Sequence, residues 1–326
     1  MSRQTLEERL LDSWYNGAAV QWWQWALLPI YAFAFYMKVF LYALNVLKPR
    51  RVPVPLIVVG NISVGGTGKT PLTMALYEYF SRAGYKVGVV SKGYGREGTD
   101  IVKVTSETAV ELCGDEPAMM AKSGIQPLYV GKDRFATAMH MLSDCSLDCI
   151  LTDDGLQDLS LYRDFEIVVI DGERLLGNEK ILPAGPLRES IKRLDKVDLL
   201  LVNGSQKFPN ALNFSIKAMA WKCIGDTQGQ PDLTRQCHAV AGIGNPGRFF
   251  RGLEHSGIHI IKHAYSDHHK FCKEDLIFGS TAPILMTEKD AVKCEGMELN
   301  NAWYLPVRAE LNSDIFQVVD TWLPAK

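Results

Sequence analysis

The stretch LIVVGNISVGGTGKTPLTMALYEYFSRAG, residues 56–84, sets three kinds of sequence in a fixed order. Leu56 to Gly60 is a short apolar run rich in β-branched residues, the composition of a parallel strand buried on both faces. Ser63 to Thr70, SVGGTGKT, is a glycine-rich loop, and Pro71 then suits the first turn of a helix. Leu72 to Arg82 is amphipathic, with Gly84 as its C-terminal stop. Strand, glycine-rich loop and helix together make the setting of a phosphate-binding loop. In that setting backbone N–H groups converge on phosphate oxygens, a lysine reaches the β- and γ-phosphates, and a Ser or Thr hydroxyl meets Mg²⁺. Ser63, Val64, Gly65, Gly66, Thr67, Gly68, Lys69 and Thr70 are therefore the candidate nucleotide-binding residues, with Lys69 and Thr70 in the last two roles. Ser63 stands where the strict pattern has its first glycine; the Gly-Gly-x-Gly-Lys-Thr core is intact.

Downstream, VGVVS (87–91), PLYV (127–130), CILTDD (149–154), EIVVID (166–171) and DLLLVN (198–203) are further apolar strands, with helical stretches at about 116–123 and 133–143. Such alternation predicts an α/β fold, a P-loop NTPase-like doubly wound parallel sheet with right-handed crossovers. Asp153 and Asp154 leave the C-terminal end of one strand, where open α/β sheets bind ligands, and are the candidate Mg²⁺ carboxylates. Two carboxylates before a glycine also suit a simple turn. After residue 210 the strands shorten (NFSIKAM, CHAVAGI, GIHIIKHA, PILMT) and a helix is expected near Pro246 to His255. The expected division is an N-terminal membrane-anchoring segment, 1–51, a P-loop core, 52–210, and a smaller C-terminal α/β lobe, 211–326.

Upstream, Ala18 to Met37 holds twenty residues without formal charge, and after Lys38 the apolar run resumes. Twenty helical residues rise about 30 Å, the hydrocarbon thickness of a bilayer. Trp22, Trp23 and Trp25 suit the headgroup level, and Lys48, Arg50 and Arg51 place the remainder of the chain in the cytoplasm. Glu7, Glu8 and Asp12 in the leader argue against a secretory signal. A buried helix of the soluble domain, or a helix lying in the interface, would carry a similar pattern.

A net charge of -2 with no long Lys or Arg run lacks the electrostatic footprint of a nucleic-acid binder. The seven cysteines include no C-x-x-C pair, which favours reduced thiols over zinc or disulfides. His255, His259 and His263 fall in the C-terminal third. Gly257 to Tyr265 reads as a strand, so alternating histidines there are expected on a half-exposed face rather than at a metal. No sequence feature points to a protein partner.

Eight stretches in order resemble the tetraacyldisaccharide 4'-kinases, or lipid A 4'-kinases, over nearly the whole chain. They are the apolar N-terminal segment, GNISVGGTGKTP (60–71), SKGYGR (91–96), GDEP (114–117), LTDDGLQD (151–158), LPAGPLRE (182–189), SDHHKF (266–271) and TEKDAVK (287–293). The resemblance implies transfer of the ATP γ-phosphoryl group, with Mg²⁺, to the 4'-hydroxyl of a tetraacylated glucosamine disaccharide 1-phosphate. It also implies a place on the cytoplasmic face of the inner membrane of a Gram-negative bacterium, with the lipid substrate and the bilayer as partners. The chain departs from the family pattern at Lys92, commonly Arg, and at Leu156 and Asp158, commonly Phe and His.

A sugar hydroxyl needs a base, and Asp115, in a Gly-Asp-Glu-Pro turn that opens a helix, is the candidate. The resemblance supports it and implies that His268 pairs with it. Glu116 is a further candidate for the Mg²⁺ shell. Arg188 follows the turn LPAGP and is placed to stabilise charge on the transferred group, while Tyr94 and Glu189 are the candidate substrate contacts. A GTPase should carry N-K-x-D; TEKD, 287–290, has its Lys and Asp adjacent and does not match. A scaffold that only binds nucleotide would need neither Asp115 nor His268.

Overall fold

The computed structural model describes residues 6–225 and 229–323. Residues 1–5 of the expected anchoring segment, and 226–228 and 324–326 of the expected C-terminal lobe, lie outside the described residues.

The chain opens with helices α1 (Leu6–Tyr15) and α2 (Trp22–Ala43). By length and composition α2 is the one helix among the described residues able to cross a membrane. One of its stripes is nevertheless bonded to the protein. Gln24 Nε2 donates to the Pro183 carbonyl (2.9 Å), the Tyr31 hydroxyl to that of Arg188 (3.0 Å) and Lys38 Nζ to that of Gln157 (3.4 Å). Residues seven apart share a helix face, so this line of contacts seats α2 along the domain. Trp22, Trp25, Ile30, Phe33 and Phe40 are exposed.

Next come β1 (Leu56–Gly60), α3 (Lys69–Arg82), β2 (Val87–Ser91), β3 (Val102–Val104), α4 (Val110–Cys113), α5 (Asp115–Lys122), β4 (Leu128–Val130), α6 (Arg134–Asp144), β5 (Cys149–Asp153), β6 (Phe165–Asp171), β7 (Leu199–Asn203) and β8 (Leu212–Ala218). A second sheet uses β9 (Lys222–Cys223), β10 (Cys237–Ala241), β11 (Ile260–Ala264), β12 (Ile284–Thr287) and β13 (Ala302–Leu305), with helices α7 (Pro246–His255) and α8 (Glu288–Ala291). Strand β14 (Val307–Glu310) and helix α9 (Ser313–Val319) close the chain.

The larger sheet runs β14-β8-β7-β6-β1-β5-β2-β4-β3 and is parallel except at its two edges. All five residues of β1 are buried at its centre, as an apolar β-branched run requires. Because β1 pairs with β5 on one side and β6 on the other, the loops leaving their C-terminal ends converge on the phosphate loop. Gly68 must be glycine. Its φ is +97°, and a Cβ there would lie 2.6 Å from Asn203 Nδ2.

The smaller sheet runs β11-β10-β12-β13-β9. Its extent differs from the division expected at 210/211, because β8 pairs in parallel with β7 and β14 pairs with β8. Residues 212–218 and 307–323 therefore complete the larger unit, where Phe316 stacks on Tyr79 (4.1 Å) and Trp322 on Phe165 (4.8 Å). Alternation identifies a strand but not its sheet. The histidines also separate. His255 ends α7, His259 precedes β11, and His263 in β11 bonds His238 Nδ1 at 3.0 Å, so the three do not share one strand face.

Candidate active site

The loop between β1 and α3 is braced from beneath. Asn61 Nδ2 donates to the Ser63 carbonyl (2.6 Å), and Asn203 Nδ2, at the end of β7, donates to that of Thr67 (3.0 Å). At the start of α3 the Thr70 hydroxyl donates to Asp153 Oδ2 (3.0 Å), and that of Thr73 to Asp153 Oδ1 (3.4 Å). Burial, reinforced by nearby Glu116 and opposed by Lys69, pushes the Asp153 carboxyl up to about 7. Its hydrogen-bond partners among the described residues are the neutral hydroxyls of Thr70 and Thr73. Thr70 and Asp153 thus offer a hard oxygen pair beside a phosphate cradle, a donor set that fits Mg²⁺.

Asp154, expected beside them as a metal ligand, is engaged by cations. Arg188 Nη1 donates to both its oxygens (3.1 and 3.3 Å), and Lys69 Nζ lies 3.7 Å away. Burial alone would raise the Asp154 carboxyl, but Lys69 and Arg188 outweigh it and hold it low. Asp153 and Asp154 are adjacent in sequence yet sit in opposite electrostatic surroundings.

Asp115 is the first residue of α5, after Gly114, whose φ is +89° and whose missing Cβ would lie 2.8 Å from the Tyr94 carbonyl oxygen. The carboxylate is buried, accepts from the Glu116 N–H (2.9 Å) and takes His268 Nδ1 at 2.9 and 3.1 Å. Burial raises the Asp115 carboxyl; the His268 hydrogen bond and the Lys289 charge together outweigh it and hold it below its ordinary range. The same hydrogen bond raises His268. Tyr94 packs tilted against the His268 ring, centroids 4.8 Å apart. The base candidate thus belongs to the larger unit and its imidazole partner to a loop of the smaller one.

Glu116 is held by Lys289 (3.1 Å) in this arrangement. Glu189, expected to touch substrate, is 6% exposed and is raised by burial. It accepts from Gln157 Nε2 (2.7 Å), whose carbonyl accepts from Arg188 (3.1 Å), so it fixes the amide that fixes the arginine. Enclosed as it is, this carboxylate braces its neighbours in this arrangement.

Residues that motif reading passed over complete the site. Lys289 in TEKD and Gln157 in LTDDGLQD lie inside quoted motifs, but nothing in their spacing says which atoms they meet. Arg134, buried at the start of α6, donates to the carbonyls of Asp153 (3.3 Å) and Asp154 (2.7 Å) and aims the two acids. Its sequence neighbourhood carries no signal of that.

Known proteins resemble this chain in both sequence and fold. The family model LpxK, tetraacyldisaccharide-1-P 4'-kinase, matches residues 20–324. The tetraacyldisaccharide 4'-kinase of Ruthia magnifica subsp. Calyptogena magnifica is 41% identical over 312 residues, covering 92% of this chain and 97% of the relative. That of Hahella chejuensis is 41% identical over 320 residues, covering 95% of each. A crystal structure of LpxK from Aquifex aeolicus, described as an "apo" form in complex with ATP, superposes with a TM-score of 0.75 at 26% identity, over 92% of this chain and 99% of that one. Agreement of that extent in both sequence and fold leads to one assignment: the chain belongs to the tetraacyldisaccharide 4'-kinase family.

Proposed function

We propose that this ATP-dependent kinase transfers the γ-phosphoryl group to the 4'-hydroxyl of its tetraacylated glucosamine disaccharide 1-phosphate with Asp115 as general base and His268 as its positioning partner. The observation that carries this reading is the buried Asp115 carboxylate, kept ionised by an imidazole that reaches it from the smaller unit. Asp115 takes the hydroxyl proton as the new O–P bond forms, and His268 fixes the carboxylate through Nδ1–H. Lys69 serves the β- and γ-phosphates and Arg188 the charge on the transferred group, with Asp154 beside both and Gln157 bonded to Arg188. Thr70 and Asp153 would hold Mg²⁺, with Glu116 available once released from Lys289; when bound, the ion neutralises charge on the β- and γ-phosphate oxygens. Tyr94, exposed beside His268, is placed to meet the acceptor.

The stripe of α2 from Gln24 to Lys38 is used by the protein over roughly 21 Å, fourteen residues at helical rise. That supports a helix lying in the interface, with Trp22, Ile30, Phe33 and Phe40 in lipid, rather than one crossing it. In this reading the enzyme sits on the cytoplasmic face of the inner membrane, with the acyl chains beside α2 and the sugar raised to the cleft.

The test is transfer of radiolabelled γ-phosphate from ATP to detergent-dispersed acylated disaccharide 1-phosphate. Asp115→Asn is expected to lower turnover by roughly 10²–10⁴ while ATP binding persists. A near-normal rate would remove Asp115 from the role of base.

A further inference from the structure

We propose that Arg174 is a catalytic arginine finger supplied in cis, held at the phosphate loop by Tyr15 of the N-terminal segment; this rests on reading the loop as the phosphoryl-transfer centre. Arg174 lies just beyond the C-terminal end of β6, on the ligand-binding edge of the sheet. Its Nη1 is 3.5 Å from the point where a Cβ on Gly65 would be, so the guanidinium lies against the glycine backbone of the cradle. The Gly244 carbonyl oxygen, from the smaller unit, is 4.0 Å from the same point. At Gly65 the φ of +108° favours glycine, and the arginine sits at van der Waals distance from where a Cβ would be.

The guanidinium carbon lies over the Tyr15 ring, 4.9 Å from its centroid. The Tyr15 hydroxyl in turn donates to the Val64 carbonyl (3.3 Å), so the shelf under the arginine is tied to the loop itself. No hydrogen bond or carboxylate pair of the Arg174 guanidinium is found among the described residues, whereas Arg188 is also bonded to Asp154 and Gln157, so the two arginines would share the charge of the transferred group. A partly buried guanidinium, oriented by an aromatic ring with its N–H fork unused, is pre-organised for two phosphate oxygens. During transfer the 4'-oxygen bonds to the γ-phosphorus, the bond to the β,γ-bridging oxygen breaks, ADP departs with that electron pair, and the hydroxyl proton goes to Asp115. Arg174 meets the negative charge carried by the γ-oxygens through this step.

The full-length protein in detergent micelles tests this. Arg174→Ala is expected to lower kcat and kcat/KM for ATP together, by about 10²–10³, with the Kd for ATP unchanged. Added guanidinium should restore part of the rate, and the tightened ADP–aluminium fluoride complex of the wild type should be lost. Tyr15→Leu should reproduce the kcat loss more weakly, and Tyr15→Phe, which keeps the ring, more weakly still. An unchanged kcat, or a raised KM for ATP at normal kcat, would overturn the assignment. Should Arg174→Ala fail to fold, Arg174→Lys, which keeps the charge and loses the fork, is read by the same ADP–aluminium fluoride titration; wild-type tightening would overturn the proposal. Lys69→Ala, run alongside, separates the two levels. An active Lys69→Ala would sink the phosphoryl-transfer reading itself, whereas an inactive one beside a normal Arg174→Ala would sink only the finger.

Discussion

Lys289 places its ammonium 3.1 Å from Glu116, 3.6 Å from Asp267 and 3.7 Å from Asp115, with its side chain 16% exposed. Burial alone would lower it; the three carboxylates outweigh that and keep it firmly charged. Removing one member of such a buried group leaves uncompensated like charges, at a cost of about 3 kcal/mol. Lys289→Met should therefore lower the melting temperature by several degrees and reduce turnover, checked by thermal melts and the phosphotransfer assay; an unshifted melt would show that the acids relax without it. A second residue-scale prediction concerns His238 and His263, which share a hydrogen bond beneath Phe278. Burial lowers both below the ordinary histidine value, so just under that value the unfolded chain binds more protons than the folded one. Their contribution is present above the unfolded value and is lost as pH falls through the folded values. Stability should drop on acidification below about 6.5, and His263→Leu should flatten that part of the profile in denaturant titrations.

At the scale of elements, α2 does two jobs on two faces. One stripe touches carbonyls of Pro183, Arg188 and Gln157, the last two belonging to residues of the arginine network. The exposed residues are aromatic and aliphatic. Phe33→Asp with Phe40→Asp should reduce the vesicle-bound fraction in flotation while leaving turnover in detergent near normal, because neither residue faces the site. Deep quenching of a probe at residue 33 by labels at the bilayer centre would contradict the in-plane arrangement. Helix α5 divides the other way: its first two residues are the candidate base and a neighbouring carboxylate, whereas Pro117 to Ala121 are buried in the core.

At the scale of the molecule, the chain leaves the larger sheet after β8 and returns with β14, so the smaller unit is inserted between two paired strands. Truncation after residue 305 should destabilise the larger unit first, because β8 loses its edge partner and Tyr79 and Phe165 lose their stacked rings. Loss of ATP binding together with the melt of the larger unit is expected by fluorescence and circular dichroism; an intact larger unit would refute the pairing. The same insertion lets the smaller unit bring His268 and Lys289 to Asp115, joining residues about 150 and 170 positions apart.

The core of the larger sheet and the phosphate loop were legible in the sequence because their determinants are local: buried strands are short apolar runs, and a phosphate cradle needs its glycines, lysine and threonine in one contiguous segment. Asp115 and His268 were legible through motif resemblance, since no spacing rule joins residues so far apart. Only the tertiary structure decided that Asp154 faces cations, that Glu189 is enclosed, that Lys289 and Arg134 brace the acids, and that β8 and β14 belong to the first sheet. Each of those depends on which atoms meet across the fold. Local sequence sets strand and helix by periodicity, but partners, burial and hence charge state follow from packing between segments that the chain itself keeps far apart.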